Sequence, residues 1–409
     1  MSRAGMRIAV FHNLPSGGAK RALYNLVKCL AKAGYTFDAF LPSTADENFC
    51  PLRDIVSGYR IFPVRRTTFA TTAFALRRSL ELGRQLMEQE RTQKRIAEAI
   101  NNGPYDVVLS EQDYCTLSPF VLKFLAGPSL YYCQQPNRSQ EAFVQVVADS
   151  GAGRRPANWY RRKREDFRVT QSVEHDKQNA SFASYIVTNS YFSRENVLRA
   201  YGKNAFVSYL GTDVDLFRPL SLPRENYVLS VGSCIIQKGY DFLIRSLSLI
   251  DARIRPSLLL VSNMKDASWE AYLRRLAAKL SVELITREGV SDSDLVHLYN
   301  GAKLLVYAPY LEPFGLAPLE AMACGTPVIA VKEGGVRESV LHNETGILTE
   351  RDEEAFALAT TELLRDDGQR ERMGSRGLEV VRNFWTWTHA AERLGVHLTR
   401  AAGLPRRQA

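Results

Sequence analysis

"LLVYAPYLEPFGLAPLEAMACGTPVIAV", residues 304–331, contains the pattern of a complete strand–helix–strand unit. Its two ends, LLVYAP and PVIAV, are short apolar runs typical of buried parallel strands. Between them, Pro318 suits the first turn of a helix and Gly325 suits its end. The stretch therefore predicts a strand, a loop, a helix and a second strand, which is one βαβ unit of a parallel sheet.

The same alternation extends in both directions along the chain. Before residue 304 the strand patterns are YVLSVGS, SLLLVS and VELIT, each followed by a helix pattern: YDFLIRSLSLI, SWEAYLRRLAAKL and SDSDLVHLYNGA. Near the N-terminus RIAVFHN and TFDAFLP flank a helix pattern with apolar residues at the i, i+3, i+4, i+7 spacing, and Gly34 suits its end. The other strand patterns of the first half are YRIFPV, DVVLS, SLYYC, ASYIVTN and AFVSYL, and a long polar helix is expected over residues 74–101.

The segment DVDLFRPLSLPREN lacks periodicity and carries two prolines, which is typical of a linker. Repeated βα alternation on both sides of it predicts an α/β protein of two doubly wound, Rossmann-like parallel-sheet domains that face a cleft. We expect the N-terminal, acceptor-side domain over residues 1–215 and the C-terminal, donor domain over residues 216–385. The final segment, 386–409, is expected to form a helix that crosses back to the first domain.

Composition limits the class of protein. With 409 residues, 45% hydrophobic and 24% charged, the chain is typical of a globular protein long enough for two domains. No apolar run reaches the ~18 residues of a membrane span, and the N-terminal apolar run is too short for a signal peptide. The six cysteines are scattered, without CxxC spacing, so a reducing cytoplasm is expected.

The net charge of +9 is partly local, because six basic residues occur in the segment GRRPANWYRRKRED, residues 153–166. With a tryptophan and a tyrosine among them, these residues could lie on an anionic membrane or hold a phosphate-bearing acceptor. The plainer interpretation is a solvated helix face, partly neutralised by Glu165 and Asp166. No nucleic-acid-binding motif accompanies the charge, so no nucleic-acid partner is expected.

The loop YLEPFGL combines features that suit a ligand with both phosphates and hydroxyls. Backbone amides of Phe314, Gly315 and Leu316 at the start of a helix form an anion site. Glu312 and Glu320 could accept hydrogen bonds from the two hydroxyl-rich rings that flank the diphosphate of a nucleotide-sugar. Alternatively, Glu320 complements the helix dipole and Glu312 is an exposed loop residue.

The motif EPFGLAPLEAMACGTPVIA resembles the E-x7-E signature of the family 4 retaining glycosyltransferases, which have the GT-B fold. The flanking segments SDSDLVHLYNGAKLLVYAP and GGVRESVLHNETGIL resemble the same family. The resemblance implies that Glu312 contacts the transferred sugar and that Glu320 binds the ribose of the nucleotide. It also implies that the amides of Phe314, Gly315 and Leu316 lie against the sugar and the diphosphate.

The segment SVGSCIIQKGYDFLI resembles the part of the family that neutralises the diphosphate with an arginine and a lysine. Lys238 stands at the lysine position, and the resemblance makes it catalytic. Gly232 and Ser233 belong to the same donor-binding segment, but Ser233 occupies the arginine position and carries no charge. The alternative for Lys238 is a surface lysine in the turn before Gly239.

The acceptor side is expected in the first domain. Gly17 and Gly18 open the first helix, where the missing side chains would admit a phosphate or an acceptor, although a plain tight turn also explains them. The segment YYCQQPNR resembles one where many relatives carry a histidine beside the reacting centre; here Gln134 replaces it, and glutamine can orient a hydroxyl but not transfer a proton. Arg138 could pair with an acceptor phosphate or form a structural salt bridge.

The resemblance implies a hexosyltransferase that works by a front-face mechanism, with no metal and no other cofactor. Its partners would be a UDP- or GDP-linked sugar and a lipid-linked glycan or polysaccharide precursor, met in the cytoplasm at the inner face of the membrane. Three alternatives stay open: a glycoside hydrolase, a nucleotide-sugar epimerase, and a non-catalytic nucleotide-sugar-binding subunit, which the replacements at Gln134 and Ser233 favour. Asp292 and Asp294 are expected to be helix-start residues rather than catalytic ones.

Overall fold

The computed structural model describes residues 5–65, 74–136 and 173–407, with side chains from residue 83 onward in the second range. Within these ranges the strands form two parallel sheets, one of seven strands and one of six. The first sheet has the strand order β3-β2-β1-β4-β5-β6-β7. Its strands are β1 (Arg7–Asn13), β2 (Thr36–Pro42), β3 (Gly58–Phe62), β4 (Val107–Asp113), β5 (Ser129–Tyr132), β6 (Tyr185–Thr188) and β7 (Phe206–Val207).

The second sheet has the strand order β10-β9-β8-β11-β12-β13. Its strands are β8 (Tyr227–Val231), β9 (Ser257–Ser262), β10 (Leu284–Glu288), β11 (Leu304–Tyr307), β12 (Val328–Val331) and β13 (Gly346–Thr349). Numbering the helices of the described ranges in chain order, those of the first half are α1 (Gly18–Lys32), α2 (Phe74–Asn101), α3 (Val121–Phe124) and α4 (Tyr191–Tyr201). Those of the second half are α5 (Tyr240–Ser248), α6 (Ala267–Lys279), α7 (Asp292–Gly301), α8 (Leu316–Ala323), α9 (Val336–Ser339), α10 (Glu353–Arg365), α11 (Asp367–Phe384) and α12 (Trp387–Ala402).

Helices cover both faces of each sheet, as the strand composition shows. In β8, Leu229 lies in one buried cluster, whereas its neighbour Val228 lies in another on the opposite face. In β1, Ile8 and Ala9 divide in the same way. Strands that are apolar on both faces need cover on both, which explains why their sequences are continuous apolar runs. The predicted fold of two doubly wound α/β domains is confirmed.

The two halves of the chain are joined twice, at the linker and near the C-terminus. The amide of Thr212 donates to the carbonyl of Trp385 at 2.7 Å, and the amide of Trp387 donates to the carbonyl of Thr212 at 3.3 Å. A Cβ at Gly211 would lie 2.4 Å from the carbonyl carbon of Thr386, so the close crossing of these segments requires glycine. One buried cluster, which contains Phe314, Trp385 and Trp387, extends across the junction.

Helix α12 follows that crossing and packs on the first sheet. The His397 ring contacts the hydroxyl of Tyr185 at 3.0 Å and the carbonyl of Val207 at 3.2 Å. A Cβ at Gly395 would lie 3.0 Å from the hydroxyl of Tyr35, which follows α1. The last helix therefore lies against the first half of the chain, while the domain boundaries at residues 215 and 385 stay a prediction.

All six cysteines are free thiols. Among the helices that the structure describes, none is both long enough and apolar enough to cross a bilayer. The main differences from the sequence-based elements are at the edges: AFVSYL forms only the two-residue strand β7. Strand β13 and helices α3, α4, α9, α10 and α11 were not identified from the sequence.

Candidate active site

In each sheet the strand order reverses direction between two central strands, and these two switch points face the same crevice. In the first sheet β1 and β4 are central neighbours, and in the second sheet β8 and β11 hold the same relation. In open parallel sheets the crevice at this point, beyond the carboxyl ends of the strands, is where ligands bind. The start of α1 meets the start of α8 there, because a Cβ at Gly18 would lie 3.6 Å from Cδ1 of Leu316.

Lys238 and Glu312 form an ion pair in this crevice. Lys238 ends the 3₁₀ turn Ile236–Lys238 that follows β8, and Glu312 lies in the loop that follows β11. Nζ of Lys238 and Oε2 of Glu312 are 2.8 Å apart, and the side chains are 20% and 24% exposed. Both groups are therefore reachable by a ligand. A cation that can meet phosphate and a carboxylate that can accept from hydroxyls stand side by side.

The loop residues Phe314, Gly315 and Leu316 lead from Glu312 into α8. Gly315 is the N-cap with φ 92°, a conformation that favours glycine, and it gives the helix no side-chain cap. A Cβ at this position would lie 2.8 Å from the hydroxyl of Tyr307. The Phe314 side chain is buried, with its ring centroid 5.7 Å from that of Trp385. Phe314 thus anchors the loop, and its side chain belongs to the core.

Glu320 lies within α8 and is almost fully buried, with an exposed fraction of 8%. Its Oε2 accepts a hydrogen bond of 2.7 Å from the hydroxyl of Tyr299. Burial raises the pKa of this carboxyl, while the positive charge of Arg21 opposes that shift. Glu320 and Arg21 also line one pocket between the two halves of the chain. Glu320 is therefore a buried acceptor beside a pocket, and its expected contact with a ribose stays a prediction.

Gly232 and Ser233 follow β8 directly. A Cβ at Gly232 would lie 3.2 Å from the hydroxyl of Tyr240 and 3.4 Å from Cε of Lys238, so a side chain there would crowd the lysine. Ser233 contacts Asn263 through an oxygen–oxygen distance of 3.5 Å. The serine provides a hydroxyl at the position where the resemblance expects an arginine.

Of the two first-domain glycines, Gly17 borders open space, whereas a Cβ at Gly18 would contact Leu316. Gly17 is the N-cap of α1 with φ 149° and no side-chain cap. Among the described residues, no atom lies within 4 Å of where its Cβ would be. There is thus room for a ligand atom beside Gly17, and the acceptor-side role of Gly17 and Gly18 stays a prediction.

Gln134 is buried and held by partners on both ends of its amide. Its Nε2 donates to Oε1 of Glu111 at 3.0 Å, and its Oε1 accepts from Nδ2 of Asn189 at 2.9 Å. Glu111 is fully buried, and burial raises its pKa to about 8. At neutral pH the folded protein therefore keeps this acid mainly protonated. Neither partner was expected from the sequence, where the only signal for Glu111 is that an acidic residue directly follows the strand pattern DVVLS.

The side chains of Ser190 and Glu338 form hydrogen bonds between the two halves of the chain. The hydroxyl of Ser190 donates to the carbonyl of Pro313 at 2.5 Å, which links the first domain to the loop that carries Glu312. Glu338 accepts from the amides of Tyr191 and Phe192 at 2.8 and 2.9 Å, so a second-domain carboxylate caps α4 of the first domain. These contacts join residues far apart in sequence, and no sequence pattern announced them.

Arg21 and Asp292 form a third cross-connection, beside Glu320. Both guanidinium Nη atoms contact the Asp292 carboxylate, at 3.0 and 2.8 Å. Asp292 opens α7, as expected, but the cap is Ser291, which accepts from the amide of Asp294. Asp292 is therefore a first-turn residue that binds the first domain.

A buried ionic cluster lies under the start of α1. His12 and Lys20 are fully buried and lie 2.9 Å apart, and both contact Glu47. Burial lowers the pKa of His12 to about 4, so the ring is neutral at physiological pH. Burial alone would raise the pKa of Glu47, but its hydrogen bonds with His12 and Lys20 lower it to about 2. The cluster ties β1, α1 and the segment near residue 47 together.

Two sequence predictions fall on residues that the structure leaves undescribed. Arg138 lies outside the described residues, and so does the basic segment 153–166. Their expected roles toward an acceptor phosphate or an anionic membrane stay predictions.

Comparison with solved structures identifies the fold. Sucrose-phosphate synthase from Thermosynechococcus elongatus aligns with a TM-score of 0.71 and 23% identity, covering 97% of this chain and 98% of that one. HepE from Anabaena, in a complex with UDP and glucose, aligns with a TM-score of 0.71 and 17% identity, covering 96% and 99%. WaaG, a glycosyltransferase involved in lipopolysaccharide biosynthesis, has a TM-score of 0.65 and 16% identity, covering 96% and 99%. The chain has the GT-B fold of these glycosyltransferases.

Sequence comparison identifies the second domain more closely. Residues 214–380 match the family model Glycosyl transferases group 1. D-inositol 3-phosphate glycosyltransferase from Corynebacterium diphtheriae is 30% identical over 243 residues, which cover 54% of this chain and 56% of that protein. The protein of the same name from Corynebacterium efficiens is 37% identical over 151 residues, 35% of each chain. The chain spans about half the length of the curated relatives it matches.

Proposed function

We propose that this protein is a retaining glycosyltransferase that moves a hexose from a UDP- or GDP-linked donor to a hydroxyl group of a glycan or glycolipid acceptor. The observation that carries the proposal is the ion pair of Lys238 and Glu312, 2.8 Å apart, beside the glycine-opened start of α8. A nucleotide-sugar has a diphosphate between two hydroxyl-rich rings, and this arrangement offers a partner for each part. The group 1 match over residues 214–380 supports the same donor chemistry.

In the proposed complex the diphosphate lies against the amides of Gly315 and Leu316. An ammonium group carries three N–H donors, so Lys238 can hold Glu312 and meet phosphate oxygens together. Glu312 accepts from the hydroxyls of the transferred hexose, and Glu320, oriented by Tyr299, accepts from the ribose. The complexes of HepE with UDP and with UDP-glucose support a uridine nucleotide as the first donor to try.

The proposed reaction keeps the configuration at the anomeric carbon. The bond from that carbon to the leaving phosphate oxygen breaks while the acceptor oxygen bonds on the same face. The acceptor proton passes to the leaving diphosphate, so no protein base is required and Gln134 need not transfer a proton. Lys238 and the loop amides stabilise the charge that grows on the diphosphate, which is the largest catalytic contribution that this geometry offers.

The acceptor would approach from the first domain. Gly17 leaves space at the start of α1, while Gly18 lies against Leu316, and Gln134 presents an amide whose orientation two neighbours fix. We propose Gln134 as a residue that orients the attacking hydroxyl. Arg138 and the basic segment 153–166 are proposed contacts for an acceptor phosphate or an anionic membrane, by their charge alone.

A thermal-shift panel of UDP- and GDP-sugars, followed by transfer of radiolabelled sugar to lipid and polysaccharide fractions, tests this function. A matched donor should raise the melting temperature, and label should reach an acceptor with the donor's anomeric configuration. Failure of every nucleotide-sugar to bind would contradict the proposal.

The second candidate is a non-catalytic nucleotide-sugar-binding subunit. It is favoured by Ser233, which supplies no positive charge, and by Gln134, which cannot act as acid or base. Binding of a donor without transfer to any tested fraction would select this alternative. Inversion of the product's configuration would contradict the retaining mechanism but not the transferase class.

A further inference from the structure

Arg351 lies directly behind the loop that carries Glu312. It stands between the end of β13 and Asp352, the N-cap of α10. Its Nη1 donates to the carbonyl of Ala308 at 3.0 Å, and its Nη2 donates to the carbonyl of Pro309 at 3.0 Å. The guanidinium thus holds the chain where it leaves β11 and enters residues 308–315, the loop that carries Glu312 and is called the site loop below.

The same guanidinium has two further partners. Its Nε and Nη2 donate to the two oxygens of Glu333 at 2.7 and 2.9 Å. Its central carbon lies 3.8 Å from the ring centroid of Tyr310, and the side chain is only 16% exposed. Only a planar group with several fixed donors can make a forked carboxylate pair, bind two carbonyls and stack on a ring at once, so lysine cannot replace it.

These partners enclose Glu312 from both sides. Glu333 precedes Gly334 and Gly335, whose backbone lies on the site loop: the amide of Gly335 donates to the carbonyl of Glu312 at 2.8 Å. A Cβ at Gly334 would lie 2.2 Å from that carbonyl oxygen. Arg351 therefore joins the segment before Glu312 to the segment that supports Glu312 from outside.

The segment held by Arg351 also sets the place of Lys238. The amide of Tyr310 donates to the carbonyl of Gln237 at 2.9 Å. A Cβ at Gly239 would lie 2.1 Å from the carbonyl oxygen of Ala308, so the lysine turn packs on the same backbone. The 2.8 Å distance between Lys238 and Glu312 depends on this packing.

The loop also contains a conformation that needs external support. Leu311 has φ 49°, in the left-handed region. An L-residue other than glycine adopts this conformation at an energetic cost, and such conformations persist where surrounding contacts impose them. Arg351 and its stacked ring supply contacts on the residue next to Leu311.

We propose that Arg351, paired with Glu333, is a positioning residue that holds the sugar-binding part of the site loop in register with Lys238. In this proposal the guanidinium makes no contact with the donor, but the affinity for the hexose part of the donor depends on it. The inference rests on the proposed donor site. The ribose side of that site uses Glu320 and Tyr299, which belong to helices that Arg351 does not contact in the described hydrogen bonds.

The test compares Arg351→Lys with a matched control, Arg255→Lys. Like Arg351, which donates to two backbone carbonyls, Arg255 donates to backbone carbonyls, those of Ser248, Ile250 and Ser281, but it precedes β9 at the opposite end of the strands. Amide hydrogen exchange of residues 308–316 is measured without ligand. Calorimetry then gives the affinities for UDP-glucose and UMP, and for GDP-mannose and GMP.

In Arg351→Lys we expect exchange over residues 308–316 to quicken about tenfold. The affinity for the nucleotide-sugar that binds the wild-type chain should fall about tenfold, whereas the affinity for its mononucleotide should change less than twofold. Arg255→Lys should leave both the exchange and the affinity ratio unchanged.

Equal losses for nucleotide-sugar and mononucleotide, or the same pattern in Arg255→Lys, would reduce Arg351 to a general stabilising residue and overturn the inference. Unchanged exchange in Arg351→Lys would overturn it as well. If the wild-type chain binds no UDP- or GDP-linked sugar, including those of the thermal-shift panel, the proposed function fails, and the exchange measurement alone decides whether Arg351 holds the loop.

Discussion

The two sides of the crevice are built in different ways. On the second-domain side, partly exposed charges stand on two short loops, with Lys238 and Glu312 in direct contact. On the first-domain side, buried neutral groups form a relay in which Glu111, Gln134 and Asn189 bond in sequence. A charged side suits the diphosphate of a donor, and a neutral, hydrogen-bonded side suits the hydroxyl groups of an acceptor. In the proposed complex the donor would therefore be recognised mainly by charge, and the acceptor by hydrogen bonds to neutral groups.

The largest expected effect is on the charged side. Lys238→Ala should reduce transfer from the matched donor by about 10²–10³-fold, because one preorganised group that stabilises transition-state charge contributes on that scale. Turnover is measured as nucleotide release from that donor. Lys303→Ala is the control, since Lys303 lies before β11 and contacts Asn226. Full turnover in Lys238→Ala would remove the catalytic role from the ion pair.

The neutral side can be tested by the pH dependence of stability. The pKa of Glu111 is raised by burial from 4.5 to about 8, so between these values the folded protein binds more protons than the unfolded chain. The free energy of unfolding should therefore fall as pH rises through this window. Glu111→Gln removes the titrating group, and the stability difference between variant and wild type should shift in favour of the variant by a few kcal/mol from pH 5 to pH 8, at about 1.4 kcal/mol per pKa unit.

Urea unfolding at a series of pH values measures this difference. Glu98→Gln, which changes an exposed carboxylate on α2, serves as the control and should give a nearly constant offset. A constant offset for Glu111→Gln as well would mean that the buried acid is ionised at neutral pH. The contrast between a charged side and a neutral side would then be wrong.

The contact between the two sides contributes less. Ser190 caps α4 and also donates to the carbonyl of Pro313 in the other half of the chain. Ser291 caps α7, and its other described side-chain contacts, with Ser293 and Asp294, stay within the start of that helix. Each serine-to-alanine change should cost about 1 kcal/mol through the lost cap. Ser190→Ala should cost about 1 kcal/mol more through the cross-domain bond. Equal urea midpoints for the two variants would show that this bond adds nothing.

The smallest effect is expected at Arg21 and Asp292. Their side chains are 22% and 47% exposed, and exposed ion pairs contribute about 0–1 kcal/mol. A double-mutant cycle with Arg21→Ala and Asp292→Ala should therefore give a coupling energy below about 1 kcal/mol that shrinks further in high salt. A coupling energy that is unchanged at 1 M salt would indicate that the ion pair is shielded from solvent and would contradict this expectation.

The same contrast explains what could be predicted from sequence. Strands β1, β2 and β9 and the long helix α2 occur over the residues that their patterns indicate. Parallel strands that are buried on both faces have continuous apolar sequences, which makes them easy to recognise. Strand β7 is shorter than its pattern because AFVSYL forms an edge strand and then enters the linker. Helix α11 was missed because its sequence, DGQRERMGSRGLEVVRNF, is mostly polar and carries two buried glycines.

Only part of the second-domain side of the site is local in sequence, because Lys238 is 74 residues from Glu312 and was expected there from the resemblance alone. Glu312, Gly315 and Glu320 belong to one loop and the helix that it opens, so their spacing alone brings them together. The first-domain side could not be predicted in the same way. Gln134 and Asn189 are 55 residues apart, and Ser190 and Pro313 are 123 apart, so only the tertiary fold makes them neighbours. Local sequence patterns carry no information about such pairs.

The most direct test of the proposed donor site is a crystal structure of the protein with the nucleotide-sugar that stabilises it best. The account predicts the diphosphate at the start of α8, within about 3 Å of Nζ of Lys238, as a charge-assisted hydrogen bond requires. The hexose should meet Glu312 and the ribose should meet Glu320. A nucleotide-sugar bound away from both carboxylates would contradict the account.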